Sequence, residues 1–77
     1  MSASTPRLVY MVNQIATAFR TAGDEPATQA TLEHIWQFWD PRMLRLIVEH
    51  LEAGGADLSD IARAAVGQLA GRLQSAP

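Results

Sequence analysis

Apolar residues recur at three- and four-residue steps through the first third of the chain, at Leu8, Met11, Val12, Ile15, Phe19 and Ala22. This spacing places their side chains on one face of an α-helix. Thr5 followed by Pro6 predicts the start of this helix. Threonine is a common N-cap residue, and proline is tolerated in the first turn because the N–H groups there have no acceptor within the helix. Gly23 predicts the end. We therefore expect a helix over about residues 6–22, with Tyr10, Asn13 and Gln14 off the buried stripe, either in water or on a contact face.

A second stretch, over about residues 26–39, has the same helical spacing and follows the turn at residues 23–26. Acidic residues near its start match the positive end of the helix dipole. The predicted buried face comprises Leu32, Ile35, Phe38 and Trp39. Trp36 lies at the edge of this stripe, so it is either a half-buried core residue or a side chain that a partner covers.

Asp40 before Pro41 predicts a sharp corner and the start of a third helix over about residues 41–53. Its apolar face is broad and comprises Met43, Leu44, Ile47, Val48 and Leu51. We therefore expect this helix to be the most buried of the chain. Arg45 and Glu49 have the spacing of a surface ion pair, and the glycines at 54 and 55 predict the helix end.

A fourth helix is predicted over about residues 59–73, with Ser59 as its cap. Its apolar side comprises Ala62, Ala65, Val66, Leu69 and Leu73. Ala64, Gly67 and Gly71 line the opposite side, and interior glycines weaken a helix. Either this helix frays towards its end, which we favour, or its small residues let another backbone approach.

Together these patterns predict an all-α fold, a small antiparallel bundle of about four short helices in a single domain spanning residues 1–77. The extreme ends, residues 1–4 and 74–77, are expected to be loose. A chain of 77 residues buries one modest core, which typically supplies only ~3–5 kcal/mol. There is no cysteine for a disulfide, so a partner surface is the remaining source of stability.

Composition argues against several classes of partner. Six arginines are scattered among eight acidic residues, which give a net charge of −2, so nucleic acid is not expected. The longest apolar run, Leu8 to Val12, is far shorter than a membrane span. The sequence also shows no signal peptide, so we expect a cytoplasmic protein that does not bind membranes.

Candidate chemistry is sparse. The two histidines occur in the pairs Glu33-His34 and Glu49-His50, and adjacent side chains diverge by about 100° on a helix, which is wrong for shared metal ligation. No serine or threonine is placed beside a histidine base, and no glycine-rich phosphate loop is present. We therefore expect no catalytic, cofactor or metal site in this chain, and a function in binding another protein.

Two segments carry a family resemblance: residues 11–16, MVNQIA, and residues 34–43, HIWQFWDPRM. They resemble the delta subunit of soluble, NAD-dependent, molybdenum-containing formate dehydrogenases, and residues 38–43 are the most specific part. Members often have proline after the Leu-Ser pair near position 58, where this chain has Asp60. The resemblance implies a non-catalytic accessory subunit that binds the catalytic subunit, either stabilising it or assisting its cofactor maturation. Molybdopterin, iron–sulfur clusters and NAD are then expected only in partner subunits.

The predicted partner contacts are called here the aromatic corner, which comprises Trp36, Phe38, Trp39, Asp40 and Arg42. Aromatic side chains and arginine dominate interface energetics. Asn13 and Gln14 are second candidates. Alternatively, Phe38 and Trp39 only fill the core and Asp40 only caps the turn.

Two other functions stay open at this level. The alternative is a self-associating helical protein unrelated to formate oxidation, which buries its apolar surplus in a homodimer when isolated. A helical DNA-binding regulator would need a basic recognition helix, but Arg42 and Arg45 share their helix with Glu49 and Glu52.

Overall fold

The computed structural model describes residues 3–75, which form four α-helices and no strand. The helices are α1 (Thr5–Phe19), α2 (Asp24–Phe38), α3 (Pro41–Glu52) and α4 (Asp60–Ser75), and a 3-10 turn over Arg20–Ala22 follows α1. The predicted all-α fold class is confirmed. Of the ends predicted to be loose, residues 1–2 and 76–77 lie outside the described residues. Ser4 caps α1 and α4 continues through Ser75, so the inner parts of both ends belong to the fold.

The cap of α1 lies one residue earlier than predicted. The Ser4 Oγ accepts a hydrogen bond from the Arg7 N–H at 3.4 Å, so Thr5 is already helical and Pro6 is the second residue of the helix. Proline fits either position, because every N–H of the first turn lacks an intrahelical acceptor. The Thr5-Pro6 pair therefore could not specify the cap by itself.

Helix α2 also begins earlier than predicted, at Asp24 instead of residue 26. Gly23 precedes it with φ +97°, and the first helical bond runs from the Ala27 N–H to the Gly23 carbonyl at 2.9 Å. Pro26 occupies the third position, where its missing N–H again costs nothing. Both acidic residues at the start of this segment thus lie inside the first turn, near the positive end of the dipole.

The remaining two helix starts and the α3 end are as the sequence predicts. An Asp40 Oδ1 accepts from the Met43 N–H at 2.9 Å, and the Ser59 Oγ accepts from the Ala62 N–H at 3.3 Å. After α3, Gly54 and Gly55 have φ +122° and +65°. The left-handed backbone at Gly55 favours glycine, because a side chain there would be strained, and its Cβ would also lie 3.1 Å from a Leu51 methyl group.

Helix α4 packs most extensively on α2, and the two run in the same direction. Gln29 bonds Gln68 and Glu33 bonds Arg72, both at 2.7 Å, so the residue numbers rise together along the pair. Helix α1 runs antiparallel to α2, whereas α3 packs on α4 and α1. The fully buried centre comprises Leu8, Val12, Ile35, Ile47, Val66 and Leu69.

The prediction that α3 is the most buried helix is wrong. Only Leu44 and Ile47 of α3 are buried, whereas α2 buries five residues. The short α3 packs on the side of the bundle, so the edges of its broad apolar face stay partly exposed. The predicted pair of Arg45 with Glu49 is also not formed within residues 3–75, where the one ion pair joins Arg72 to Glu33.

The two glycines on the outer side of α4 face open space. A Cβ at Gly67 or Gly71 would meet no atom of the described chain within 4 Å. The helix nevertheless continues through Ser75, beyond the predicted end at residue 73. None of the helices in residues 3–75 is long and apolar enough to cross a membrane.

Candidate partner-binding surface

The aromatic corner separates two adjacent rings into different environments. Helix α2 ends at Phe38, and Trp39 leaves the helix in an extended conformation, with φ −92° and ψ 141°. The Trp39 side chain is 6% exposed and belongs to the core, whereas Phe38 is 68% exposed. The prediction that Phe38 is buried is therefore wrong. Because the chain turns into an extended conformation at Trp39, its ring points into the core while the Phe38 ring stays on the outer side of α2.

Beside Phe38 lies an open groove of about 480 Å³, called here the front groove. It is lined by Tyr10, Met11, Gln14, Ile15, His34, Phe38, Trp39 and Met43. None of these residues is acidic or arginine, and most of the lining surface is apolar. The front groove thus joins α1, the end of α2 and the start of α3 into one apolar surface.

Aromatic rings contact one another along the walls of the front groove. The His34 and Phe38 ring centroids are 4.8 Å apart, and His34 also meets Phe19 edge-on at 6.4 Å. Across the groove, the Gln14 amide donates to the Tyr10 hydroxyl at 2.9 Å, although the Tyr10 side chain stays 61% exposed. Gln14 lines the front groove together with Phe38 and Trp39, and its role as a partner contact stays a prediction.

A second hollow of about 550 Å³, called here the side groove, lies on the other face of Trp39. Trp36, Pro41, Leu44, Arg45 and Leu73 line it together with Trp39. Trp36 is 38% exposed, and the Arg72 guanidinium lies 4.9 Å from its ring centroid. A hydrogen bond from Arg72 holds the pKa of the Glu33 carboxyl below its ordinary value.

Asn13 makes an intramolecular brace instead of pointing freely into water. Its Nδ2 donates to the Asp57 carbonyl at 2.8 Å, and its Oδ1 accepts from the Ser59 N–H at 2.9 Å. Asp57 has φ +68°, the one positive value among the described non-glycine residues. The Asn13 amide therefore ties α1 to the loop before α4.

The last two members of the aromatic corner are polar. Asp40 uses one carboxylate oxygen to cap α3, as the sequence predicts. Arg42 is exposed and forms no ion pair within the described residues. Asp40 thus has an internal role, while the guanidinium of Arg42 is available to an external acceptor.

The groove also contains residues that sequence reasoning did not select. Tyr10, Met11, Ile15, His34 and Met43 all line it. Met11, Ile15 and Met43 lie on predicted core faces, and an apolar stripe does not show which members remain partly exposed. For Tyr10 alone the sequence indicated an exposed contact residue, because this large aromatic side chain lies outside the buried stripe of α1.

The described residues offer little for chemistry. No group of three or more histidine, cysteine, aspartate or glutamate side chains within residues 3–75 is placed to hold a metal ion. His50 pairs with the Ala56 carbonyl at 2.7 Å, and His34 lies among aromatic rings. Every buried side-chain nitrogen or oxygen in this part of the chain has a hydrogen-bond partner.

Comparison with known proteins places the chain in a family. No curated protein and no solved structure matches it. A family model described as NADH-dependent formate dehydrogenase delta subunit, FdsD, matches residues 7–66. This range contains the whole aromatic corner, the front groove and the Asn13 brace. The chain belongs to the FdsD family of NADH-dependent formate dehydrogenase delta subunits.

Proposed function

We propose that this chain is a non-catalytic accessory subunit that binds the catalytic subunit of formate dehydrogenase through the aromatic corner and the front groove. The family match over residues 7–66 carries the proposal, because it identifies the chain as one component of an oxidoreductase. The exposed aromatic surface within the matched range supports a contact role.

Phe38 and Tyr10 provide most of the exposed aromatic area of this surface. Both are more than half exposed in a chain with a single small core. Burying a phenylalanine side chain contributes ~1.5–3 kcal/mol, and aromatic anchors in pockets dominate many interfaces. Covering the front groove would therefore favour association strongly while changing little inside the chain.

We infer that molybdopterin, iron–sulfur clusters and NAD are held by the other subunits. Cluster ligation relies on cysteine thiolates, and this sequence has no cysteine. The grooves of the described chain are open hollows at its surface, whereas small ligands usually occupy pockets that enclose most of their area.

Affinity purification tests the accessory role. The tagged chain is purified from its native host grown on formate, with the tag alone as control, and co-purifying proteins are identified by mass spectrometry. We expect the catalytic subunit of formate dehydrogenase in stoichiometric amounts. Recovery of the chain alone, together with unchanged formate oxidation after deletion of its gene, would refute the accessory role.

The same deletion strain separates stabilisation from assisted maturation. If the chain stabilises its partner, the catalytic subunit falls in abundance, but each remaining molecule retains its molybdopterin. If the chain assists maturation, the catalytic subunit accumulates normally but contains less cofactor per molecule. Quantitative immunoblotting combined with molybdenum analysis of the purified subunit distinguishes the two roles.

A further inference from the structure

We infer that the front groove receives an apolar segment of the partner that carries carboxylates at its edges, and that Arg7 and Arg42 bind those carboxylates. This inference rests on the proposed accessory function and adds the chemical nature of the partner segment.

The floor of the front groove selects for apolar side chains. Trp39 forms the buried wall, Phe38 stands exposed beside it, and Met11 and Met43 lie partly buried. Unbranched thioether side chains adapt to the shape of an incoming group and make favourable contacts with aromatic rings. An apolar side chain from a partner would therefore displace water from this groove without leaving a charge unpaired.

Two arginines lie next to groove-lining residues on α1 and α3. Arg7 precedes Tyr10 and Met11 by one turn on α1, so these three residues share a helix face. Arg42 directly precedes Met43 in the first turn of α3. Both arginines are exposed, and neither forms an ion pair within residues 3–75. Both arginines thus stand next to groove-lining residues in the chain, and neither is paired with a carboxylate of residues 3–75.

The local charge opposes the charge of the whole chain. Four arginines, Arg7, Arg42, Arg45 and Arg72, lie at or next to the aromatic corner and its two grooves, against two carboxylates: Asp40, which caps α3, and Glu33, which pairs with Arg72. The whole chain nevertheless has a net charge of −2, because the other parts of the chain contain six acidic residues and only two arginines. Asp24 and Asp60 lie together with Arg20 beside the end of α1, opposite the corner.

This separation of charge favours an acidic partner and fixes its orientation. A cationic surface attracts carboxylates during the encounter and repels basic segments. It also argues against a second copy of this chain as the occupant. A symmetric dimer through the same face would bring Arg7 and Arg42 of one copy towards those of the other, which is repulsive.

Variant subunits test the charged edge. Binding of the purified chain to the catalytic subunit, made in a strain that lacks this chain, is measured at low and high salt. We expect Arg7→Gln/Arg42→Gln to weaken binding about tenfold at low salt and to flatten the salt dependence, as for charges at an interface rim. Arg20→Gln, at the opposite end of α1, is the control and should leave affinity within about twofold.

Phe38→Ala tests the apolar floor. An exposed ring contributes little to folding, so circular dichroism should be unchanged, whereas loss of an anchor of ~2 kcal/mol corresponds to about 30-fold weaker binding. Binding by both groove variants at the wild-type affinity would overturn the inference and leave the accessory role intact.

Cross-linking identifies the occupant directly. A photoreactive residue at position 14, in the groove wall, is activated in the assembled enzyme, and the linked peptide is sequenced by mass spectrometry. We expect a peptide of the catalytic subunit in which aspartate or glutamate flanks apolar residues. A basic peptide, or a peptide of a second copy of this chain, would overturn the inference. If the wild-type chain fails to bind the enzyme at all, the accessory role and this inference fall together.

Discussion

Replacing Asn13 by alanine removes both hydrogen bonds that tie α1 to the loop before α4. A net hydrogen bond contributes ~0.5–1.5 kcal/mol, and the freed Asp57 carbonyl and Ser59 N–H can partly rehydrate, so we expect a loss of about 1–2 kcal/mol. For a domain of this size each kcal/mol lowers the Tm by ~4–8 °C, so the Tm should fall by roughly 4–16 °C.

The assay is thermal and urea unfolding of the isolated chain, followed by circular dichroism. Gln14→Ala is the matched control, because Gln14 is the next residue and its single bond to Tyr10 lies at the surface. Such a surface change is worth less than ~0.5 kcal/mol. Equal Tm values for the two variants would refute the brace. Weakened partner binding by Asn13→Ala at an unchanged Tm would instead establish Asn13 as a direct contact.

Three further perturbations test the core, the turns and the one ion pair. Leu69→Ala, at a fully buried position, should lower the free energy of unfolding by ~2–5 kcal/mol. Circular dichroism should then show a largely unfolded chain, and a cooperative melt at the wild-type Tm would contradict the packing. Gly55→Ala should lower the Tm because the left-handed backbone costs ~1–2 kcal/mol, whereas Gly67→Ala, in open space on α4, should raise it through a helix propensity gain of ~1 kcal/mol. The Glu33 pKa is lowered by Arg72, so the stabilisation from this pair is present above the unfolded pKa and is lost as the pH falls through the folded pKa. Carboxyl NMR should show the Glu33 pKa rising in Arg72→Gln, and an unchanged pKa would refute the bond in solution.

Local signals in the sequence were sufficient for the helices. The helical spacing of apolar residues, the Asp40 cap and the glycines after α3 each act within one or two turns, and the structure contains them as predicted. The starts of α1 and α2 were displaced, because proline tolerates several positions in a first turn. Such errors move a boundary without changing which helices exist.

The long-range features were not accessible from local patterns. Asn13 finds its acceptor and donor 44 and 46 residues away, and an asparagine on a predicted surface gives no sign of this. Likewise, Phe38 continues the apolar stripe of α2, yet the chain leaves the helix at the next residue and Trp39 takes the core position. Which of two adjacent rings faces inward depends on the direction of the chain after the corner.

The same arrangement gives the protein a natural optical reporter. Its two tryptophans both belong to the aromatic corner, so the intrinsic fluorescence of the isolated chain originates in this one region. A soluble quencher should reach Trp36, at the rim of the side groove, and be kept from Trp39, which is buried against both grooves. Filling either groove changes the surroundings of Trp39, so ligands and peptides docking at this surface can be followed by emission alone, without an attached dye.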